Sequence, residues 1–243
     1  MSLILAHRGA SGYAPENTME AFRLALDMGA DGFELDVHMS KDGQLVVIHD
    51  ETVDRTTNGT GFVRDLTLEQ LKELDASNGM EKYKGAKIPT LGEVFDLIRG
   101  TGAIVNVEIK TDECFYPGME EACVALVREK GVEDQVIYSS FNHHTLIKMH
   151  ELAPDAKLGM LFGDIMLRPW EYAGALPVTH LHPMKMNIYV PGFAEETKKA
   201  GYGINMWTIN DEETMRECMK YGAGIITNYP DVAVALRKGD VAS

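Results

Sequence analysis

The chain contains short apolar runs that are separated, in most places, by stretches with helical periodicity. Eight of these runs are rich in β-branched residues, and they lie at residues 3–6, 32–36, 104–108, 136–140, 158–162, 179–182, 204–207 and 224–227. Strands that alternate with helices indicate βαβ units and a parallel sheet. Eight is also the strand number of a closed (β/α)8 barrel. We therefore predict an α/β fold of the TIM (β/α)8 barrel type.

A ninth apolar run, at residues 45–48, follows the second strand after a very short connection. The connection contains Asp42-Gly43, and Asp-Gly between apolar segments is a strong hairpin signal. A parallel crossover needs a much longer connection, so this run must return antiparallel to the second strand. The run at residues 45–48 is therefore an addition to the barrel rather than one of its eight strands.

The hairpin brings three functional side chains together if Asp and Gly are its two turn residues. Counting back from that turn places Asp36 opposite His49. Side chains alternate with period two along a strand, so Glu34 shares the face of Asp36. The predicted register thus puts two carboxylates and an imidazole side by side.

Helix capping signals support the alternation of strands and helices. A capping residue precedes an acid or amide by three positions at three places: Asn17 with Glu20, Thr67 with Gln70, and Thr90 with Glu93. The segment 50–90 is too long for an ordinary βα loop, and we predict it to be an insertion with one helix near residues 67–74. Residues 1–243 are predicted to form a single barrel domain that includes this insertion.

Composition narrows the choice of partners. The chain has 37 acidic and 23 basic residues and a formal net charge of -14, without a segment rich in Lys or Arg. Nucleic acid and anionic membrane surfaces are therefore disfavoured, and a small-molecule substrate is expected. The sequence leaves the oligomeric state open.

The cysteines and the start of the sequence favour a cytoplasmic location. Cys114, Cys123 and Cys218 are odd in number and lack metal-ligand spacing, which is typical of free thiols in a reducing compartment. No basic leader or long apolar stretch is present, so we predict neither a signal peptide nor an integral membrane segment.

The predicted strands end in polar residues, which is where a barrel carries its catalytic groups. Glu34, Asp36 and Glu108 would bring three carboxylates into one cavity. Like charges so close need a counter-charge, and oxygen ligands favour Mg²⁺ or Ca²⁺, with Mn²⁺ also possible. The alternative is that the carboxylates pair with Lys110 or Arg8.

Two histidines at these strand ends are candidates for acid/base catalysis. His7 ends the first strand and His49 ends the hairpin, and an imidazole can accept or donate a proton near neutral pH. The charged side chains of Arg8 and Lys110 would suit a phosphoryl group. His38 should face away from the site by alternation.

Two further strand-end residues have open roles. His182 is either a substrate contact or a structural residue. Trp207 either packs an apolar or glycerol-like group or plugs the mouth of the barrel.

Ordered motifs along nearly the whole chain resemble those of the glycerophosphodiester phosphodiesterases. They are Ala6-His7-Arg8-Gly9, Pro15-Glu16-Asn17-Thr18, Glu34-Leu35-Asp36-Val37, His49-Asp50, Asp54-Arg55-Thr56-Thr57-Asn58-Gly59, Ile88-Pro89-Thr90-Leu91, Glu108-Ile109-Lys110, Ser140-Phe141, Trp207-Thr208 and Thr227-Asn228-Tyr229-Pro230. One departure is Asn228, where many members of the family have Asp. We expect that departure to affect the end of the barrel more than the chemistry.

The resemblance implies a (β/α)8 barrel with a small insertion after the second strand. It also implies metal-dependent hydrolysis of glycerophosphodiesters to sn-glycerol 3-phosphate and an alcohol, with the glycerol 2-hydroxyl as first nucleophile. By the same resemblance His7 and His49 are the acid/base pair. The metal ligands would then be Glu34, Asp36 and Glu108, and the phosphate-binding cations Arg8 and Lys110.

Three other functions stay open on the sequence. A related phosphodiesterase could act on lysophospholipids, and a barrel of this kind could instead serve as a metal-assisted lyase or isomerase of a sugar phosphate, because a fold does not settle function. The third is a binding protein that holds phosphate or metal without turnover.

Overall fold

A closed barrel of parallel strands forms the centre of the molecule, as a computed structural model of residues 1–239 shows. In chain order the strands are β1 Ile4–His7, β2 Gly32–Met39, β3 Leu45–Val47, β4 Ile104–Ile109, β5 Val136–Ser140, β6 Lys157–Phe162, β7 His180–Pro183, β8 Gly203–Met206 and β9 Gly224–Thr227. All except β3 pair in parallel, and β1 closes the ring by pairing with both β9 and β2. The predicted TIM barrel is confirmed.

Helices follow the strands along the chain. They are α1 Met19–Asp27, α2 Leu68–Glu73, α3 Leu91–Ile98, α4 Met119–Lys130, α5 His143–Leu152, α6 Pro169–Ala173, α7 Phe193–Lys199, α8 Glu212–Tyr221 and α9 Pro230–Lys238. Their apolar residues pack with the outward-facing strand residues in one large core cluster. The capping boxes predicted at Thr67 and Thr90 are both present.

The predicted start of the first helix is wrong by one residue. Thr18, not Asn17, caps α1, and its hydroxyl oxygen accepts a hydrogen bond from the Ala21 N–H. Asn17 has a φ of 56° instead, and its side-chain amide donates to Asp36 Oδ2 at 2.9 Å. A residue predicted to begin a helix is therefore part of the polar group around Asp36.

The register of the hairpin between β2 and β3 differs from the prediction. Val37 pairs with Val47, and the Ile48 N–H donates to the Asp36 carbonyl at 3.1 Å, so Asp36 lies opposite Ile48 rather than His49. The turn contains three residues instead of two, because the Ser40 N–H already bonds the Gln44 carbonyl at 2.9 Å. His49 lies beyond the end of β3, and strand alternation does not determine where its side chain points.

The segment between β3 and α3 has a small apolar core of its own. Within it the chain forms α2 and two short 3-10 helices, Val63–Asp65 and Glu81–Tyr83. Val46 and Ile48 of the hairpin pack against Val53, Val63 and Leu71 in a cluster separate from the barrel core. The single predicted α-helix of the insertion is observed, and the description of the whole chain as one domain stays a prediction.

The helices of residues 1–239 are short. The longest has 12 residues, and none is long and apolar enough to cross a membrane.

Gly43 should contribute to the stability of the hairpin through its backbone conformation alone. Its φ is +79°, and a Cβ added there would meet nothing within 4 Å. We expect Gly43→Ala to lower the free energy of unfolding by about 1 kcal/mol, because a side chain disfavours the left-handed conformation. Urea denaturation measures this difference.

Gly102→Ala is the matched control, because a Cβ at Gly102 also meets nothing within 4 Å and its φ lies outside the left-handed region. Equal unfolding free energies for the two variants would contradict the proposed role of the Gly43 backbone.

Candidate active site

A cavity of about 60 Å³ opens to solvent where the barrel strands end. One side is polar, with His7, Arg8, Glu34, His49, Asn106 and Glu108. The other side is apolar, with Phe141, Leu161, Trp207 and Ile226. The structure therefore brings both candidate histidines and two of the candidate metal ligands to one wall, opposite a surface suited to a hydrocarbon group.

The three candidate metal ligands form one buried cluster. Glu34 and Asp36 lie two residues apart on β2, and Asp36 is the register partner of Glu108 on β4. One carboxylate oxygen from each residue lies within 4.8 Å of the other two. Alternation along β2 and parallel pairing with β4 are sufficient to produce this arrangement.

Burial and mutual repulsion affect the three carboxyl groups unequally. Burial, then the charges of Asp36 and Glu108, raise the pKa of Glu34 well above its usual value. Burial, followed by Asp36, raises the pKa of Glu108 to about 7. Burial also opposes ionisation of Asp36, but Arg8, with help from His49 and Lys110, outweighs it and lowers the pKa of Asp36. The cluster thus resists carrying three negative charges by itself.

Two cations lie directly beside this cluster. Lys110 Nζ donates to Glu108 Oε1 at 3.1 Å, and Arg8 Nε lies 3.4 Å from Asp36 Oδ2. The pairing of carboxylates with Lys110 and Arg8, which the sequence left as the alternative to a metal, is therefore present. It is incomplete, since within residues 1–239 the side-chain oxygens of Glu34 accept a hydrogen bond of 2.9 Å from the Arg8 backbone N–H but none from a side-chain cation.

The backbone after β1 is shaped to reach Glu34. Arg8 has a φ of 56°, an uncommon conformation for a residue with a side chain, and its N–H donates to the Glu34 carboxylate. Gly9 follows with a φ of 80°, and a Cβ there would lie 2.6 Å from the Ala21 Cβ. Only glycine fits so close to α1.

The donor set fits a hard divalent cation. Three oxygen donors lie close enough to share one ion, and the elevated pKa values of Glu34 and Glu108 show that the cluster needs positive charge. Carboxylate ligands are those that Mg²⁺, Ca²⁺ and Mn²⁺ prefer. Glu34, Asp36 and Glu108 are the residues that would hold the ion.

The two candidate histidines have different hydrogen-bond partners. His7 Nδ1 lies 2.7 Å from Asn228 Oδ1, whereas His49 Nδ1 donates to the Asp50 carboxylate at 2.6 Å. Burial, then the charge of Arg8, lowers the pKa of His7 to about 4. His7 is therefore uncharged at neutral pH, and its 4.0 Å contact with Glu34 is not an ion pair.

A chain of alternating charges joins Arg8 to His49 on the polar side of the cavity. Arg55 donates from Nε and Nη2 to Asp50, at 2.7 and 2.9 Å, and from Nη1 and Nη2 to Glu16, both at 2.8 Å. Arg8 Nη1 donates to the same Glu16 at 2.9 Å. Hydrogen bonds with Arg55, opposed by burial and aided by His49, lower the pKa of Asp50. The carboxylate beside His49 is thus held ionised.

His38 supports His49 from behind. Its ring is fully buried and faces away from the cavity, as predicted. Nε2 of His38 donates to the His49 carbonyl at 3.0 Å, and Nδ1 accepts from the Tyr116 hydroxyl at 2.8 Å. These bonds fix the main chain at His49. The strand pairing of the hairpin does not fix it, because His49 lies beyond the end of β3.

His182 does not lie where a substrate could reach it. The ring is fully buried in the barrel, with Nε2 3.0 Å from Asn205 Nδ2, and burial lowers its pKa to about 3. The prediction of a substrate contact is therefore corrected, because the side chain points down into the barrel. Its main-chain carbonyl has a role instead, since it accepts a hydrogen bond of 2.7 Å from Trp207 Nε1.

Trp207 lines the apolar side of the cavity. Its ring packs edge to face on Phe141, with 5.5 Å between ring centroids. The tryptophan therefore lies on the cavity wall, and both sequence interpretations, packing of a substrate group and closure of the barrel mouth, stay predictions.

Several residues around the cavity were not assigned a role in the site from the sequence. Glu16, Asn17, Asp50, Arg55 and Asn228 all contact a candidate catalytic or metal-binding residue or its charged partner. Each lies in one of the motifs that carry the family resemblance, and membership of those motifs is the sequence signal that could have identified these residues as part of the site. The Asn228 side chain contacts His7, so this departure from the family pattern lies beside a candidate catalytic residue. The expectation that it affects the barrel end more than the chemistry stays a prediction.

A barrel with three buried carboxylates and two histidines at its mouth has the side chains expected of a metal-assisted acid/base enzyme. Comparison with known proteins identifies the family. The pattern of the glycerophosphoryl diester phosphodiesterase family matches residues 7–232. The chain belongs to this family, which confirms the resemblance drawn from the motifs and the prediction of an enzyme of this kind.

Relatives match over nearly their full length. A protein from Caldanaerobacter subterraneus subsp. tengcongensis, named glycerophosphodiester phosphodiesterase, is 48% identical over 98% of this chain and 99% of its own. The crystal structure of a glycerophosphodiester phosphodiesterase from Agrobacterium tumefaciens is 34% identical, with a TM-score of 0.84 over 97% of this chain and all of that one.

One similar structure contains a reaction product. It is a phosphodiesterase from Oleispira antarctica in complex with sn-glycerol-3-phosphate, 30% identical with a TM-score of 0.85 over 98% of this chain and 97% of that one.

Tyr116 should stabilise the protein through its hydroxyl. Tyr116→Phe leaves Nδ1 of the fully buried His38 without its partner, and an unpaired buried polar group costs about 1–3 kcal/mol. We expect the free energy of unfolding to fall by that amount in chemical denaturation, and kcat to fall with it because His49 loses support.

Tyr83→Phe is the control, since the Tyr83 hydroxyl makes no hydrogen bond within residues 1–239. Unchanged stability in Tyr116→Phe would argue against the hydrogen-bonded chain from Tyr116 to His49.

Proposed function

We propose that the protein is a metal-dependent glycerophosphodiester phosphodiesterase that releases sn-glycerol 3-phosphate and an alcohol. One observation carries the proposal: the buried cluster of Glu34, Asp36 and Glu108 shares a cavity wall with His7 and His49. Family membership supports the substrate class, as does the sn-glycerol-3-phosphate complex of the Oleispira antarctica relative.

The charges of the site suit a phosphodiester once a divalent cation is bound. The three carboxylates exceed the two neighbouring cations, Arg8 and Lys110, by one charge. A divalent ion turns this into an excess of one positive charge, which complements a phosphodiester monoanion. Such an ion also polarises a phosphoryl oxygen as a Lewis acid. The choice between Mg²⁺, Ca²⁺ and Mn²⁺ is part of the proposal to be tested.

The hydrogen-bond partners assign different roles to the two histidines. His7 is uncharged and its Nε2 faces the carboxylate cluster, which suits a general base. His49 donates to an ionised carboxylate, and a carboxylate in that position stabilises an imidazolium, which suits a general acid. Environments that shift the pKa values of two similar groups apart are a recurring basis for acid/base pairs.

The proposed reaction has two steps. His7 takes the proton of the glycerol 2-hydroxyl, the hydroxyl oxygen bonds to phosphorus, and the bond to the leaving alcohol breaks as His49 supplies that alcohol with a proton. The product of this step is a cyclic phosphodiester of glycerol. In the second step the roles reverse. His49 takes a proton from water and the water oxygen bonds to phosphorus, while the bond from phosphorus to the 2-oxygen breaks and His7 returns a proton to that oxygen.

A lysophospholipid is a second candidate substrate, because apolar side chains surround the mouth of the barrel. Phe115, Ile165, Leu167 and Met186 are exposed on loops that follow strand ends, with Leu167 91% exposed. The apolar cavity wall with Phe141 and Trp207 lies on the same face. An acyl chain could cover these surfaces, whereas a sugar phosphate would leave them in water.

A substrate panel tests the proposed function directly. Glycerophosphocholine, glycerophosphoethanolamine and lysophosphatidylcholine are incubated with protein and metal. The released alcohol is quantified for each, together with sn-glycerol 3-phosphate from the two short diesters and lysophosphatidic acid from lysophosphatidylcholine. Preference for the short diesters supports the leading proposal, and preference for lysophosphatidylcholine supports the second candidate. Turnover of none of these diesters, with tight phosphate binding, would support a binding protein.

Substitution of either candidate histidine should abolish most of the activity. His7→Ala and His49→Ala each remove a proton-transfer group, and we expect kcat to fall by about 10²–10⁴-fold. His150→Ala, in the last turn of α5, is the matched control and should keep wild-type kcat. Circular dichroism verifies that the variants fold. Wild-type turnover in both active-site variants would refute the acid/base assignment.

Metal removal should inactivate the protein reversibly. Chelation by EDTA removes the charge that the cluster needs, and add-back of Mg²⁺, Ca²⁺ or Mn²⁺ should restore turnover to different extents. Calorimetry should show weaker metal binding as the pH falls through 7, because Glu108, with a pKa of about 7, must lose a proton to bind.

Two variants distinguish the cluster from other carboxylates. Glu108→Gln should lose metal binding in the same calorimetric experiment, while Glu121→Gln, on the surface of α4, should retain it. Full activity after complete metal removal would disprove the metal requirement.

A further inference from the structure

The loop after the last barrel strand contributes a side chain to the site that the proposed chemistry does not use. Asn228 follows β9, and its Oδ1 lies 2.7 Å from Nδ1 of His7, 221 residues earlier in the chain. An amide oxygen can only accept a hydrogen bond, so this contact requires the proton of a neutral His7 ring to be on Nδ1. Nε2 then keeps its lone pair.

We propose that Asn228 is a positioning residue that holds His7 as the Nδ1-protonated tautomer, with the Nε2 lone pair directed into the cavity. The inference rests on the proposed function, in which His7 accepts a proton there. Nε2 is the nitrogen nearer the carboxylate cluster, 4.0 Å from Glu34 Oε2. A ring with its proton on Nε2 could not act as the base at that atom.

The main chain around Asn228 is itself fixed from two neighbouring loops. The Asn228 N–H donates to Asn210 Oδ1 at 2.9 Å, and the Asn228 carbonyl accepts from the Gly12 N–H at 3.0 Å. Asn210 lies in the loop after β8, and Gly12 in the loop after β1. The side chain is therefore presented to His7 from a rigid support, which is what a positioning residue requires.

The His7 main chain is fixed as well. The Ser11 hydroxyl donates to the His7 carbonyl at 2.7 Å. The imidazole can still rotate about its side-chain bonds, and among residues 1–239 the bond to Asn228 is the one hydrogen bond that its ring makes. Loss of that bond removes the constraint on both ring orientation and tautomer.

Nitrogen NMR of the histidine rings tests the proposal without measuring activity. The ¹⁵N shifts of the two ring nitrogens report which one is protonated, and the His7→Gln variant identifies the His7 signals. We expect wild-type protein and Asn228→Asp, which retains an acceptor, to carry the proton on Nδ1. Asn228→Ala should show a mixture of tautomers. A wild-type ring protonated on Nε2, or an unchanged tautomer in Asn228→Ala, would overturn the proposal.

Kinetics give an independent readout of positioning. Asn228→Ala should lower kcat by about 10–100-fold with little change in KM, in the range known for residues that orient a functional histidine, and Asn228→Asp should restore part of it. In a His7→Ala background the same Asn228→Ala change should cost less than about twofold, because the residues act as a unit. Additive losses would contradict the proposal.

Asn142→Ala is the matched control. This amide also follows a strand end, where it caps α5 and bonds the Thr111 carbonyl, and it should leave the His7 tautomer unchanged. Failure of the two proposals can be told apart. A wild-type protein without turnover of any diester removes the proposed function, while the NMR result decides the role of Asn228 by itself.

Discussion

The charge balance around three buried carboxylates governs the organisation of this molecule. Glu34, Asp36 and Glu108 meet because β2 and β4 are adjacent parallel strands, and their burial makes full ionisation unfavourable. Arg8 and Lys110 offset part of the charge, and the backbone of Arg8 has an uncommon conformation. The loop after β1, the position of Gly9 and the start of α1 all follow from this requirement.

The same requirement extends outward from the cluster. Arg8 contacts Asp36 on one side and Glu16 on the other, and Glu16 shares Arg55 with Asp50, which in turn bonds His49. Each charge in this series is next to one of opposite sign. The candidate acid/base residue His49 is therefore linked electrostatically to the carboxylate cluster of the barrel, over a path that no single secondary-structure element spans.

Local sequence patterns were sufficient for the barrel and for the carboxylate cluster. Alternation along β2 and the pairing of neighbouring strands are regular, so the amino-acid sequence alone places Glu34, Asp36 and Glu108 together. The hairpin register could not be derived, because the Ser40 hydroxyl bonds Asp42 and Gln44 and enlarges the turn by one residue. His49 still reaches the cavity, since hydrogen bonds to His38 and Asp50 direct it.

Contacts between distant loops set the rest of the site, and no periodic pattern reports them. Arg55 meets Glu16 across 39 residues, and Asn228 meets His7 across 221.

The contact between Arg55 and Glu16 links two parts of the molecule. Arg55 belongs to the segment with a separate apolar core, whereas Glu16 belongs to the barrel. Loosening of that small core would release His49 from its partners while the barrel remained folded, so heat inactivation of this enzyme should begin in the insertion.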